Sequence, residues 1–110
     1  MKEIKAYIRP FMLNKVTDAL KAIPVRGMSV IKVSGFGKEK DELSPYEEDL
    51  TDFTPKSKIE IVCRDEEANQ IVKTIKTSAY TGRRGDGMIF ISRIDEAISI
   101  HSGDKGEEAI

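Results

Sequence analysis

The sequence predicts an α+β fold in which strands and helices follow the order β-α-β-β-α-β. Two observations lead to this prediction. Short segments alternate apolar with polar residues, and two longer segments repeat apolar residues at the three- and four-residue spacing of a helix face. The chain has 110 residues and a formal net charge of −1. Its size suits one compact domain, and its charge argues against a protein that finds nucleic acid mainly by electrostatics.

The first strand is predicted from an alternation that Pro10 interrupts. Its members are Ile4, Ala6 and Ile8 on one face and Lys5, Tyr7 and Arg9 on the other. In the helix that follows, Asn14 is the predicted N-cap, and Pro24 and Gly27 mark its end. The predicted buried stripe of this helix consists of Val16, Ala19, Leu20 and Ile23.

A long loop separates the second and third strands. Met28–Val33 is rich in β-branched residues and predicts the second strand. The third strand places Ile59, Ile61 and Cys63 on one face and Glu60 and Val62 on the other. Residues 35–55 far exceed a usual hairpin loop of about 2–5 residues, and six acidic residues lie between positions 39 and 49. We expect an arm that docks on a partner or orders on a ligand, with a solvated insertion as the alternative.

The second half of the chain repeats the pattern. Asp65 is the predicted cap of a second helix, whose buried stripe is Ala68, Ile71, Val72, Ile75 and Ala79. Met88–Ile91 predicts a fourth strand with apolar residues on both faces, and Ile98–Ile100 a short fifth piece. The whole order is the ferredoxin-like unit, which places both helices on one face of an antiparallel sheet. A symmetric oligomer would cover the other face, the alternative being an exposed, mixed polar surface.

Two glycine-rich stretches are candidate binding elements. Residues 82–87 read Gly-Arg-Arg-Gly-Asp-Gly, and Gly35-Phe36-Gly37 opens the long loop. Glycines let backbone N–H groups approach an anion closely, and arginines add phosphate contacts, so each stretch is either a phosphate cradle or a plain turn. Neither matches a dinucleotide fingerprint or a Walker A sequence. His101 is the only histidine and Cys63 the only cysteine. No catalytic set can be nominated from the sequence, and no zinc-binding spacing is present. A binding module is therefore favoured over an enzyme.

Localisation is predicted from what the sequence lacks. A single cysteine cannot form an internal disulfide. No apolar run approaches the roughly 18 residues of a membrane-spanning helix, and Met1 leads directly into Lys2-Glu3-Ile4-Lys5 without the apolar core of a signal peptide. We expect a cytoplasmic protein.

Five segments in order carry a resemblance to a known family. They are MKEIKAYIRPF at the start, VSGFGK before the long loop, DFTPKSKIEIV after it, then TGRRGDGMIF, and SGDKGEEAI at the end. Together they resemble the PII nitrogen-regulatory signalling proteins from Met1 to Ile110. On this resemblance residues 1–110 form a single PII-like domain, with a T-loop at about 37–55, a B-loop at about 81–87 and a C-terminal loop at about 99–110.

The resemblance implies a cylindrical homotrimer of ferredoxin-like subunits. Family members bind ATP or ADP in the clefts between subunits, and many bind 2-oxoglutarate through Mg²⁺ and the base of the T-loop. The T-loop then docks on transporters, enzymes or their regulators. The implied protein has no chemistry of its own, binds no nucleic acid, and meets a membrane only through a membrane-protein target, which the sequence leaves unidentified.

The positions that match the family's binding motifs give the candidate site residues. The resemblance assigns to the nucleotide cleft Ser29, Gly35, Phe36, Gly37, Lys38, Val62, Arg83, Arg84, Gly85, Asp86, Gly87, Met88 and His101. The backbone of Gly85, Asp86 and Gly87 would cradle phosphates, and Val62 lies where adenine is held. Lys56 matches the lysine that helps bind 2-oxoglutarate.

Departures from the family pattern predict altered ligand preference. Met88 replaces a lysine that reaches the phosphates, and Ser99 and His101 replace two arginines. Each lost cation removes a charge-assisted hydrogen bond worth about 1.5–3 kcal/mol, which Arg83, Arg84 and a protonated His101 offset in part. We expect ADP or AMP to be preferred over ATP. The alternative is a trimer that has lost ATP and 2-oxoglutarate sensing and acts as a ligand-independent or differently liganded protein-interaction module.

The T-loop departs from the pattern as well. Glu39 replaces a glutamine that helps hold Mg²⁺ and 2-oxoglutarate, and its carboxylate favours a cation but repels a dianionic acid. Glu39, Asp41 and Glu42 are the candidate ligands for Mg²⁺ or Ca²⁺, with a solvated run of charges as the favoured alternative, and we expect weak 2-oxoglutarate binding. Asp49 stands where some members carry a modified tyrosine, and the role of that tyrosine is not carried over to nearby Tyr46.

Two other classes of protein share this element order. An RNA-recognition module shows some likeness at Ala6-Tyr7-Ile8, but it needs aromatic residues on its third strand, and Lys56–Arg64 has none. An acylphosphatase-like enzyme needs an arginine-bearing loop after the first strand, and Arg9-Pro10-Phe11-Met12 has one arginine and no glycine.

Overall fold

The computed structural model describes residues 1–36 and 53–110. The elements, numbered in chain order, are β1 (Lys2–Ile8), α1 (Leu13–Lys21), β2 (Ser29–Gly35), β3 (Thr54–Cys63), α2 (Asp65–Ala79) and β4 (Gly87–Arg93). Short 3₁₀ turns cover Pro10–Met12 and Gly106–Ala109. The four strands form one antiparallel sheet in the order β2-β3-β1-β4. The predicted α+β, ferredoxin-like arrangement is confirmed.

The core lies between the two central strands and the helices. The alternating residues of β1 and β3 supply one wall, and the stripes of α1 and α2 supply the other. Its buried apolar members are Ile4, Ala6, Ile8, Val16, Leu20, Ile59, Ile61, Cys63, Ala68, Ile71, Ile75 and Ala79. Burial of these stripes follows from the periodicity read in the sequence.

The other face of the sheet mixes apolar and charged side chains. The rings of Tyr7 and Phe90 meet edge to face with centroids 5.9 Å apart. Beside them the Lys58 ammonium lies 5.8 Å from the centroid of the Tyr7 ring and 2.9 Å from a carboxylate oxygen of Glu60. Phe90 and its neighbour Met88 remain more than half exposed. In this chain the face is thus an exposed mixture of apolar and charged side chains, and its coverage by a symmetric oligomer stays a prediction.

The strand register separates the sheet into two ends. At one end Gly35 of β2 pairs with Thr54 of β3, and Ile8 of β1 pairs with Gly87 of β4. At the other end Ser29 pairs with Glu60. Ser29 and Gly35 are six residues apart on one strand, which at about 3.3 Å per residue puts the two ends roughly 20 Å apart. We call the end with the Gly35 and Thr54 pair the B-loop end, after the loop before β4. We call the end with the Ser29 and Glu60 pair the cavity end, after a cavity described below.

Both predicted helix caps are wrong by a small shift. Helix α1 begins at Leu13, directly after the 3₁₀ turn that Pro10 initiates, so Asn14 lies inside its first turn. Helix α2 is capped by the extended residue Arg64, whose backbone N–H donates to the Glu67 carboxylate at 3.0 Å. Asp65 instead places its carboxylate 3.1 Å from the amino nitrogen of Met1.

The predicted fifth strand piece is reduced to one bridge. Ile98 pairs with Lys105 alone, because the chain turns back between them through Gly103, whose φ is +76°. None of the helices in the two described ranges has the length and apolar character needed to cross a bilayer.

Candidate functional site

The loop that joins α2 to β4 is built around the carboxylate of Asp86. Its Oδ2 accepts hydrogen bonds from the backbone N–H of Thr81 at 2.9 Å and of Gly82 at 3.1 Å. The Thr81 hydroxyl donates to Oδ1. The Asp86 side chain is thus turned into its own loop, where it holds residues 81–87 in one shape.

Arg9 fastens this loop to the end of β1. Its Nε donates to Asp86 Oδ1 at 3.1 Å, and its Nη2 donates to the backbone carbonyl of Arg84 at 2.8 Å. The side chain is only 1% exposed. The alternation in β1 predicts Arg9 on the polar face with Lys5 and Tyr7. This prediction is wrong, because the strand ends at Ile8 and the turn at Pro10 redirects the next side chain.

Sequence reasoning therefore missed Arg9 as a part of the site. The available signal was an arginine between a strand and a proline, where an alternation rule no longer applies. A second signal was Asp86, a lone acidic residue among two arginines and three glycines. A buried arginine needs a partner of opposite charge, and Asp86 supplies it from the distant loop.

Lys56, at the start of β3, contacts the same loop. Its Nζ donates to the backbone carbonyl of Gly85 at 2.8 Å. Burial, reinforced by the nearby Arg9 charge, lowers the pKa of Lys56 below its ordinary value, although Asp86 acts in the opposite direction. Lys56, which the family resemblance assigns to 2-oxoglutarate binding, thus contacts the B-loop in this structure.

Asp86 remains ionised in this setting. Burial acts to raise its pKa, but the hydrogen bonds from Thr81, Arg9 and Gly82 outweigh burial and hold the pKa of Asp86 below its ordinary value. The carboxylate therefore compensates the buried Arg9 at neutral pH.

Two glycines of the loop are required by their backbone conformation, and one of them is also required by close packing against β1. Gly85 and Gly87 have φ values of +95° and +125°, a region that side chains rarely allow. At Gly87 a Cβ would also lie 1.7 Å from the backbone oxygen of Tyr7. The start of β4 thus lies directly against β1, and no side chain fits between the two strands.

Several predicted nucleotide residues gather at the B-loop end. Arg83, Arg84 and Met88 have exposed side chains there. On the neighbouring strands, Gly35 lies against Lys56, and the exposed ring of Phe36 lies 6.1 Å from that of Phe53. Apart from Asp86, whose charge Arg9 balances, the charged groups described at this end are cations, which suits a phosphate-bearing ligand.

Ser29 and Val62 lie at the cavity end instead. They line an open cavity of about 430 Å³. Its other lining residues are Glu3, Arg26, Gly27, Met28, Glu60, Ala109 and Ile110. A guanidinium nitrogen of Arg26 donates to the backbone oxygen of Ile110 at 3.4 Å and so ties the last residues to this end. The residues assigned to one nucleotide therefore lie at opposite ends of a single subunit.

The C-terminal loop places its candidate residues in a tight turn. The Ser99 N–H donates to the Asp104 carbonyl, and the Gly103 N–H donates to the Ser99 carbonyl, both at 2.9 Å. His101 is exposed in this turn and is not among the residues that line the cavity.

The remaining predicted residues belong to the long loop. Gly37, Lys38, Glu39, Asp41, Glu42, Tyr46 and Asp49 lie outside the described residues. Within positions 1–36 and 53–110, His, Cys, Asp and Glu side chains form no group of three that could hold a metal ion. The assignment of a cation to Glu39, Asp41 and Glu42 stays a prediction.

Comparison with known proteins gives one consistent answer. The family described as "Nitrogen regulatory protein P-II" matches residues 1–104. Proteins named "Nitrogen regulatory protein P-II" from Rhizobium meliloti, Bradyrhizobium diazoefficiens and Azospirillum brasilense are 42%, 44% and 40% identical to this chain, over the full length of both sequences in each case. Proteins of this family are regulatory signal-transduction proteins and not enzymes, as the sequence analysis expected. The chain belongs to the nitrogen regulatory protein P-II family.

Proposed function

We propose that this chain assembles into a homotrimer that binds an adenine nucleotide at each seam between subunits and regulates a target protein through its T-loop. One observation carries the proposal. Ser29 and Val62 lie at the cavity end, whereas Gly35, Phe36 and residues 83–88 lie roughly 20 Å away at the B-loop end. An extended ATP molecule would barely span this separation, which favours a site shared between two subunits over one built within a single subunit. A closed ring brings the B-loop end of one copy against the cavity end of the next.

The B-loop end suits the phosphates of the nucleotide. Arg83 and Arg84 are exposed beside a loop whose carboxylate is occupied by internal hydrogen bonds. Positive φ values at Gly85 and Gly87 permit a backbone shape that lets N–H groups surround an anion. The exposed thioether of Met88 adds no cation, so ADP or AMP is the expected preferred ligand.

The cavity end suits the base and ribose. The Ser29 hydroxyl and the Val62 side chain offer a hydrogen-bonding group and an apolar surface in one cavity. Glu3, Glu60 and Arg26 surround them and supply further polar contacts.

The regulatory output belongs to the T-loop, residues 37–55. Its acidic cluster would dock on a basic surface of a transporter, enzyme or regulator in the cytoplasm. Mg²⁺ would bind at Glu39, and 2-oxoglutarate would bind weakly through Mg²⁺ and Lys56. Membrane contact arises only through such a target.

Two measurements test the proposal. Calorimetric titration of the full chain with ATP, ADP, AMP and 2-oxoglutarate is expected to show nucleotide binding, with sedimentation giving the mass of a trimer. Absence of binding by every nucleotide would contradict the ligand part and favour a trimer that acts only through protein contacts.

Mixed trimers test whether each site is shared. Val62→Glu damages the cavity end, and Arg84→Glu damages the B-loop end, so each variant alone should bind nucleotide weakly. Trimers assembled from both variants should regain some intact seams, each with a B-loop from one chain and a cavity from the other. If mixing restores no binding, the site is not shared between subunits.

A further inference from the structure

Two carbonyl groups of the B-loop are directed at cations. The carbonyl oxygen of Arg84 accepts a hydrogen bond from Nη2 of Arg9, and the carbonyl oxygen of Gly85 accepts one from Nζ of Lys56, both at 2.8 Å. Arg9 comes from the end of β1 and Lys56 from the start of β3, so two neighbouring strands hold two consecutive peptide groups.

The direction of these carbonyls sets the direction of the next N–H groups. In a planar trans peptide the C=O and the following N–H point in opposite directions, and no cis peptide occurs in the described residues. The N–H of Gly85 therefore points away from Arg9, and the N–H of Asp86 points away from Lys56. Two consecutive amides facing away from two cations are the donors that an anion-binding backbone concavity needs.

Hydrogen bonds from the two cations add to the Asp86 contacts and restrain the direction of both peptide groups. Gly85 lies between them, has φ of +95°, and imposes little steric restriction on rotation. Arg9 is itself held by the Asp86 carboxylate and is almost fully buried. A hydrogen bond from a charged donor is stronger than one between neutral groups, so Arg9 and Lys56 are able to fix both peptide planes.

We propose that Arg9 and Lys56 are positioning residues that orient the amides of Gly85 and Asp86 toward the phosphates of the bound ligand. The identity of the ligand rests on the proposed function. The orienting role rests on the two carbonyl contacts and does not require either cation to touch the nucleotide.

The test separates phosphate binding from base binding. Lys56→Met removes one carbonyl contact, and Arg9→Met removes the other. Arg9→Lys keeps the charge but replaces the planar guanidinium by one ammonium nitrogen, so it cannot reproduce the contacts that Nε and Nη2 make from two separate positions. Lys76→Gln, on the exposed surface of α2, is the matched control for loss of a cation. Calorimetry without 2-oxoglutarate gives the affinity of each protein for ADP and for adenosine.

We expect Lys56→Met and Arg9→Met to weaken ADP binding by about tenfold or more, the effect of one lost charge-assisted contact. Adenosine affinity should change by less than about twofold, since the base contacts lie at the other end. Arg9→Lys should recover part of the loss, and Lys76→Gln should match the wild type. Equal weakening of ADP and adenosine, or unchanged ADP binding in both methionine variants, would overturn the inference. If Arg9→Met does not fold, the comparison of Lys56→Met with the wild type still tests the orienting role, because Lys56 is only half-buried.

A second readout does not depend on the nucleotide. Inorganic tripolyphosphate added to the ¹⁵N-labelled wild type should shift the amide signals of Gly85 and Asp86, and these shifts should be lost in Lys56→Met. Shifts in the wild type without binding of any nucleotide would contradict the proposed function and leave the amide orientation supported. Nucleotide binding without shifts at these two amides would contradict the orienting role alone.

Discussion

The guanidinium Nε of Arg9 lies 3.1 Å from Oδ1 of Asp86, a residue 77 positions later in the chain. Arg9 is buried at the end of β1, and Asp86 organises the loop before β4. This ion pair joins the central strand to the loop that contains the candidate phosphate site. The same contact therefore holds both the shape of the loop and the position of the loop against the sheet.

Removing the carboxylate should destabilise the protein markedly. In Asp86→Ala the Arg9 guanidinium stays buried without its counter-charge, and two loop amides lose their acceptor. We expect the free energy of unfolding to fall by about 3 kcal/mol, as measured by urea denaturation. Asp18→Ala, on the exposed surface of α1, is the control and should change it by less than about 0.5 kcal/mol. A similar small change in both variants would show that the ion pair is not structural.

Stability should also depend on pH through Asp86. The pKa of Asp86 in the folded protein lies below its unfolded value near 3.8. Its contribution is therefore complete above that value and is lost as pH falls through the lower, folded pKa. Asp86→Asn should remove this part of the acid dependence, so that its unfolding free energy falls less steeply below pH 3.8. Parallel curves for the variant and the wild type would contradict the assignment.

Gly87→Ala should be among the most damaging single changes. The new Cβ would overlap the Tyr7 carbonyl oxygen, and φ at this position is +125°. We expect a loss of about 4 kcal/mol or failure to fold, measured by urea denaturation. Two other glycines, where an added Cβ would meet no atom within 4 Å, serve as controls. Gly103→Ala, at φ +76°, should cost about 1 kcal/mol from backbone strain alone, and Gly27→Ala should cost least.

Met88→Lys should strengthen the binding of ATP. The side chain is 59% exposed at the start of β4, beside the glycines of the B-loop. A lysine there adds one charge-assisted contact to phosphate, so the affinity for ATP measured by calorimetry should rise about tenfold and that for adenosine should not. Thr77→Lys, exposed on α2, adds the same charge elsewhere and should leave both affinities unchanged. An equal rise in the two lysine variants would indicate a non-specific effect of net charge.

The fold was predictable because it depends on repeated local patterns. Ile4, Ile59 and Ile71 lie on apolar stripes whose spacing already indicates a strand or a helix, and all three are buried. The helix caps were predicted less well. Arg64 caps α2 through its backbone conformation and the reach of Glu67, neither of which a single residue type reveals.

The candidate site was predictable only in part. Residues 82–87 could be chosen from composition and from the family resemblance. The contacts of Arg9 and Lys56 with that loop join residues 77 and 29 positions apart, and only the strand register brings them together. The separation of Ser29 from the B-loop end likewise follows from register and not from any motif.

The Lys56 contact joins the strand that follows the long loop to the B-loop. Lys56 is the third residue of β3, the strand into which the T-loop leads. A partner that captures the T-loop and displaces this strand start would loosen the Gly85 carbonyl. If binding of that partner changes the affinity of the B-loop for its ligand, thermodynamic reciprocity requires the ligand to change the affinity for the partner by the same factor. Ligand binding at the B-loop and partner binding at the T-loop would thus be linked through the ammonium group of Lys56.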